Sequence, residues 1–243
     1  MPPVVALLTD FGLTDPYVGV MKGVMLHLLP TLNLVDLSHG VPPQDVRTGA
    51  LFLESAWRYF PEGTVFLCVV DPGVGGPRRP MILRSAGRLF VGPDNGLLSL
   101  LPDGDWWEIS VEEPLASRTF HGRDLFAPVA AKLAMGIEPG RLGRPVPDPQ
   151  RLSLPEALEG EGEILYFDGY GNAITSLRGV DVGEVEVADR RLPVQLSYGA
   201  VAPGAPLALT GSTGRLELAV RNGSAQAELA LEVGMSVRVH SWK

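Results

Sequence analysis

Apolar and polar positions follow two different rhythms along this chain. Val4 to Leu8 is an unbroken apolar run, the pattern of a strand buried on both faces, and it ends in Thr9-Asp10-Phe11-Gly12. Asp15-Pro16 supplies a cap residue and a proline at the first helical position, and Tyr17 to Leu29 reads as a helix with mixed apolar faces. Leu32 to Leu37 is a second short strand, followed by Ser38-His39-Gly40-Val41-Pro42-Pro43. Val46, Ala50, Leu53 and Trp57 recur at helical spacing, and Phe60-Pro61-Glu62-Gly63 is a turn signal. Thr64 to Val70 is a third strand. The order β-α-β-α-β predicts a mostly parallel sheet with right-handed crossovers and helices on both faces. Pro80 to Arg84 and Arg88 to Val91 form a hairpin-like pair, and Gly92-Pro93-Asp94-Asn95-Gly96 is a turn for which turn chemistry is a sufficient explanation. Trp106 to Ser110 is a further strand, and Leu125 to Met135 an alanine-rich helix.

The second rhythm begins after residue 136. Pro139, Pro145, Pro147, Pro149 and Pro155 fall in a polar, acidic stretch that reads as a linker. Beyond it the helical period vanishes and short strands alternate with glycine-rich turns. These strands are Glu163 to Phe167, Glu184 to Val187, Arg191 to Leu196, Leu207 to Leu209, Leu216 to Val220, Ala227 to Leu231 and Ser236 to His240. The expected organisation is an α/β N-terminal domain over 1–140, a linker over 141–162, and a smaller all-β, barrel-like domain over 163–243.

Composition narrows the function classes. At 243 residues and 45% hydrophobic content the chain can bury a sizeable core. A net charge of -8 argues against a nucleic-acid surface, which needs a basic face. The single cysteine, Cys68, lies inside an apolar strand and reads as a small buried hydrophobe, so neither a disulfide framework nor a cysteine-based zinc site is available. No apolar run approaches membrane-spanning length, and the first residues lack the basic region of a signal peptide; a soluble cytoplasmic protein is expected.

Candidate chemistry concentrates at the ends of elements. Asp71 ends the third strand and opens Asp71-Pro72-Gly73-Val74-Gly75-Gly76-Pro77-Arg78-Arg79, a loop whose glycines permit close backbone approach and whose prolines stiffen it. Asp10 holds the same kind of position after the first strand, and ligands of open α/β sheets sit beyond such carboxyl ends. His121, in Thr119-Phe120-His121-Gly122-Arg123-Asp124, lies near a helix start, where the dipole depresses an imidazole's basicity. His27, His39 and His240 read as ordinary structural histidines, His39 least securely. In the second half, Asp168-Gly169-Tyr170-Gly171-Asn172 and the segment from Ser212 to Ser224 carry polar residues beyond what turns require, although hairpin punctuation would explain either alone. There is no P-loop, no dinucleotide fingerprint, no nucleophile elbow and no metal-binding histidine pattern.

Taken together these segments, with Pro93-Asp94-Asn95-Gly96, resemble in order and spacing the S-adenosyl-L-methionine hydrolases that form adenosine, also called SAM hydroxide adenosyltransferases. These are relatives of the fluorinating and chlorinating enzymes. The resemblance implies an α/β N-terminal domain, a β C-terminal domain, and a homotrimer with active sites at subunit interfaces. It also implies S-adenosyl-L-methionine as substrate without a separate cofactor. By that likeness Asp71, Arg78 and His121 form the catalytic triad, where the halogenating relatives carry tyrosine, threonine and tyrosine. Asp10 matches the carboxylate on the ribose hydroxyls. Asp168 and Asn172 match the pair at the methionine amino group and the adenine side, and Ser212 the serine near the methionine carboxylate. Glu217, Val220 and Arg221 fall where adenine or the carboxylate is contacted. Thr213 and Gln44 depart from the halogenating enzymes, which have arginine and tryptophan there. The implied reaction is hydrolysis to adenosine and methionine; the alternatives are a non-catalytic binder or sensor of adenosyl compounds, and a halogenase.

Overall fold

The computed structural model describes residues 2–110, 117–155, 157–158 and 160–240. It divides into two compact units, Met1–Leu152 and Ser153–Lys243.

The apolar runs of the first unit become the strands β1 (Val4–Thr9), β2 (Asn33–Ser38) and β3 (Val65–Val69), with the helices α1 (Tyr17–Leu28) and α2 (Val46–Ala56) between them. β1 pairs in parallel with β2 on one side and β3 on the other. The sheet continues through β5 (Arg88–Pro93), β4 (Pro80–Ser85), β6 (Asp105–Ile109) and β7 (Gly143–Pro145), in the order β2-β1-β3-β5-β4-β6-β7. β5 is parallel to β3, and the last three strands are added antiparallel to their neighbours. Because strand side chains alternate, Val5, Leu7, Val65 and Leu67 pack with Met21 and Met25 of α1 and with α3 (Ala127–Ala134). Ala6, Leu8, Phe66 and Cys68 pack with Leu53 of α2 on the opposite face. Both faces are thus covered, as expected for a buried parallel sheet.

Three local expectations change. Pro16 stands just outside α1 with no side-chain cap, so Asp15 does not cap that helix; Asp45 caps α2, accepting from the Thr48 N–H at 2.9 Å. The helix expected from Leu125 begins as one turn of π-helix over Gly122–Phe126 before α3 proper. The stretch read as a linker is not free chain: β7 adds to the open edge of β6, and the Gln150 and Leu152 N–H groups bond the Asp94 carboxylate and Ser99 hydroxyl. Proline richness signalled loose chain, yet an unpaired strand edge was there to capture it. Residues 156 and 159 of that stretch lie outside the described residues.

The second unit is a seven-stranded antiparallel sheet ordered β11-β10-β14-β8-β9-β13-β12. Its strands are β8 (Glu161–Phe167), β9 (Ala173–Arg178), β10 (Glu184–Val187), β11 (Arg190–Pro193), β12 (Pro206–Thr210), β13 (Arg215–Val220) and β14 (Ser236–His240). The two terminal strands come together through a bridge between Val194 and Ala208, with the Gln195 N–H bonded to the Ala208 carbonyl at 2.8 Å, so the sheet curls into a barrel-like form. The stretch Ala227 to Leu231, expected as a strand, instead begins inside a short helix, α4 (Ala225–Glu228). Ser224 caps it through the Ala227 N–H, and Glu228 accepts from the Ser224 N–H in return. Among the described residues no helix is long and apolar enough to cross a membrane.

Candidate active site

The first unit has a natural crevice. The chain leaves β1, returns as β2 on one side, then crosses to β3 on the other, and ligands of open sheets gather where strand order reverses in this way. Thr9 lies opposite Val69, so Asp10 and Asp71 sit one and two residues beyond the ladder on neighbouring strands.

Asp71 does not stand alone there. The Arg78 Nε donates to both of its carboxylate oxygens at 3.1 Å, and Nη2 donates to Oδ2 at 2.5 Å. The pair is nearly dry, with side-chain exposures of 5% for Asp71 and 9% for Arg78. The same Nη2 lies 2.8 Å from Nδ1 of His121, and the Phe126 ring supports the guanidinium at 5.2 Å. A guanidinium has only donors. His121 Nδ1 must therefore accept, which leaves the imidazole neutral with its proton on Nε2. Burial and the Arg78 charge push the His121 pKa down, against a smaller opposing pull from Asp71 and Asp124.

Glycine makes this geometry possible at one position above all. Gly75 has a φ of +76°, and a Cβ there would lie 2.5 Å from the Arg118 carbonyl oxygen, so the Asp71 loop and the segment leading to His121 are in backbone contact. Both ends of the loop are braced. The Asn95 side-chain amide donates to the Val70 carbonyl at 2.9 Å, immediately before Asp71. Arg79 donates to Asp94 at 2.7 Å and to Asp148 at 2.9 Å. Asp94 and Asn95 thus do more than turn chemistry requires: they hold the two ends of the Asp71 loop. Asp10 accepts from the Gln44 N–H at 2.8 Å, and Gln44 adopts a φ of +65°, rare for a side-chain-bearing residue. Phe11 meets Phe120 edge-on at 6.1 Å, tying the Asp10 turn to the turn that carries His121.

In the second unit a cavity of about 770 Å³ is lined by Asn172, Tyr198, Val220 and Arg221, with Tyr170 at its edge of the β8–β9 turn. Asp168 shapes that turn by accepting from the Tyr170 and Asn172 N–H groups and from the Asn172 amide, all at 2.9 Å. Arg221 donates to the Val201 carbonyl at 2.5 Å and so fixes the loop carrying Tyr198. Glu217 is buried in β13 and accepts a short hydrogen bond from the Tyr198 hydroxyl. Burial raises the Glu217 pKa; the Tyr198 bond opposes this and the Asp168 charge adds to it. Tyr198, pushed up by burial and by Glu217, stays a phenol. Ser212 is exposed in the β12–β13 turn. The sequence reading missed Tyr198; an aromatic between two glycine-containing turns was its only signal. Among the described residues no group of three or more His, Cys, Asp or Glu is placed to hold a metal ion.

Comparison with known proteins bears on both units. Residues 5–143 match the SAM hydroxide adenosyltransferase N-terminal domain and residues 162–238 its C-terminal domain. The chain belongs to this family. Among SAM hydroxide adenosyltransferase relatives, a protein of Thermus thermophilus named (R)-S-adenosyl-L-methionine hydrolase is 49% identical, over 97% of this chain and 98% of its own length. One of the same name from Salinispora tropica is 39% identical over 98% and 97%. A Nocardia brasiliensis fluorinase is more distant, at 28% over 98% and 96%. A crystal structure of an uncharacterized conserved protein from Thermotoga maritima superposes with a TM-score of 0.88 at 34% identity, covering 97% of this chain and all of that one.

Proposed function

We propose that this protein hydrolyses S-adenosyl-L-methionine to adenosine and L-methionine, by in-line attack of water on the C5′ carbon. The observation that carries this reading is the single Arg78 guanidinium joining Asp71 to a neutral His121 at the strand ends beside Asp10. The named hydrolases among its relatives support it.

The substrate's sulfur is a sulfonium, so methionine leaves as a neutral thioether and no general acid is required. The task is to hold and polarise a nucleophile. Asp71, paired with Arg78, accepts one hydrogen of the water; His121 Nε2–H donates to its oxygen and turns a lone pair toward C5′. The C5′–O bond forms as C5′–S breaks, the bonding pair passes to sulfur, and the proton released by water passes through Asp71 to solvent. Charge is annihilated in this step, so a dry pocket favours it. Asp10 takes the ribose hydroxyls in charge-assisted hydrogen bonds that hold C5′ in line. Asn172, Tyr198, Val220 and Arg221 form the adenine and methionine side, backed by Asp168 on Asn172 and Glu217 on Tyr198, and Ser212 takes the methionine carboxylate. A homotrimer with its sites at subunit interfaces, a cytoplasmic location and a reaction without cofactor or metal complete the proposal.

Incubation with S-adenosyl-L-methionine in ¹⁸O-water tests it. Adenosine carrying the label on its 5′ oxygen, together with methionine, is expected. Tight binding without product, or 5′-chloro-5′-deoxyadenosine in place of adenosine when chloride is present, would overturn it.

The pH dependence follows from His121. Its pKa is held below the ordinary 6.5, so the neutral, accepting imidazole persists as the pH falls through that value. The folded protein binds fewer protons there than the unfolded chain, so this site's contribution to stability is present above 6.5 and is lost on acidification toward the folded value. The acid limb of kcat/KM is expected below pH 6.5 in a rate profile; an inflection above it would contradict the assignment.

A further inference from the structure

Beneath Asp10 lies a chain of side chains that the proposed chemistry does not use. Lys22 Nζ donates to Asp36 Oδ2 at 2.7 Å, and Asp36 Oδ1 lies 3.0 Å from Nε2 of His39. His39 Nδ1 lies 2.8 Å from the Thr9 hydroxyl, which in turn accepts from the Phe11 N–H at 3.2 Å. Thr9 is fully buried and His39 only 5% exposed, so these partners are not exchanged for water. Lys22 keeps Asp36 an acceptor, so His39 donates from Nε2 and is turned with Nδ1 against the Thr9 hydroxyl. The His39 carbonyl also accepts the Gly12 N–H at 2.8 Å. One histidine therefore grips the chain on both sides of Asp10: at Thr9 before it, and at Gly12 after it.

We propose that the Asp36–His39–Thr9 relay sets the Asp10 carboxylate for the ribose diol, making these three residues positioning residues for recognition of the sugar. The inference rests on the reading of Asp10 as the ribose ligand. A cap or core histidine would need only one anchor. Here both ring nitrogens and the carbonyl are committed, two of the three bonds reach the Thr9–Gly12 turn, and the third runs to a carboxylate held by Lys22. The Gln44 N–H secures Asp10 Oδ2 from the other direction, so rotation of the Asp10 turn would lose that bond together with the ribose.

The test compares S-adenosyl-L-methionine with its 2′-deoxyadenosyl analogue, taking the ratio of the two kcat/KM values, a readout that general destabilisation would not move. A charge-assisted hydrogen bond to the 2′-hydroxyl gives the unaltered protein a preference on the order of tenfold or more. Asp10→Ala is expected to abolish the preference, Thr9→Val to reduce it to within about threefold of unity, and Thr9→Ser, which keeps the hydroxyl, to retain it. Asp36→Ala, at a partly exposed position, is expected to behave like Thr9→Val, and serves if Thr9→Val does not fold. Loss in Asp10→Ala with full retention in Thr9→Val or Asp36→Ala would overturn the relay while leaving the ribose reading intact. Retention in Asp10→Ala would remove the ribose reading itself, and the relay with it.

Discussion

Asp71→Ala is expected to lower kcat for adenosine release by roughly 10²- to 10⁴-fold, the range that a positioned acid–base group supplies. Substrate binding should change far less. The methyl group can neither accept a hydrogen of the attacking water nor hold it in line, so the loss falls on the chemical step. One effect works on binding. Arg78 is almost as buried as Asp71, and without the carboxylate its charge faces a sulfonium cation uncompensated. A rise in the dissociation constant of about tenfold at most is therefore expected, since such charges interact across a partly solvated site. Product chromatography gives the rate and calorimetry the affinity. Turnover within a few-fold of the unaltered protein would exclude Asp71 from the reaction.

Arg78→Met should damage stability as well as rate. It removes the partner of a buried carboxylate and the hydrogen bond at His121 Nδ1. Breaking one side of a buried ion pair commonly costs about 3–5 kcal/mol, because the remaining charge stays desolvated. Asp71→Asn combined with Arg78→Met removes both charges and should recover much of that loss without recovering activity. Denaturant unfolding followed by tryptophan fluorescence reads this, because three of the four tryptophans, Trp57, Trp106 and Trp107, belong to the first unit, which also holds the pair. If the single variant is as stable as the unaltered protein, the pair is not a buried, mutually dependent unit.

Much of the first unit was legible because its signals are local. Apolar runs, two helical periods and a carboxylate after the first and third strands are all read within a short window, and the structure keeps Asp10 and Asp71 just beyond the ends of adjacent parallel strands. What escaped depends on distant approach. Asn95 meets the Val70 carbonyl and Tyr198 meets Glu217 only because strands far apart in sequence become neighbours. β9 begins directly after a turn, and its Ala-Ile-Thr-Ser-Leu-Arg lacks the clean alternation that marks a strand. Ala227 to Leu231 read as a short strand between turns, but reciprocal capping by Ser224 and Glu228 turns its first residues into a helix. His39 was the hardest to read, since a buried histidine with three commitments looks in sequence like any other.

The meeting of Val194 with Ala208 has a consequence for how this protein can diversify. A sheet rolled back on itself has little free rim to extend, so new partners or ligands cannot be won by lengthening a strand. Variation is channelled into the connecting turns instead, such as those bearing Asn172, Tyr198 and Arg221. There, residues can be exchanged without disturbing the ladder beneath.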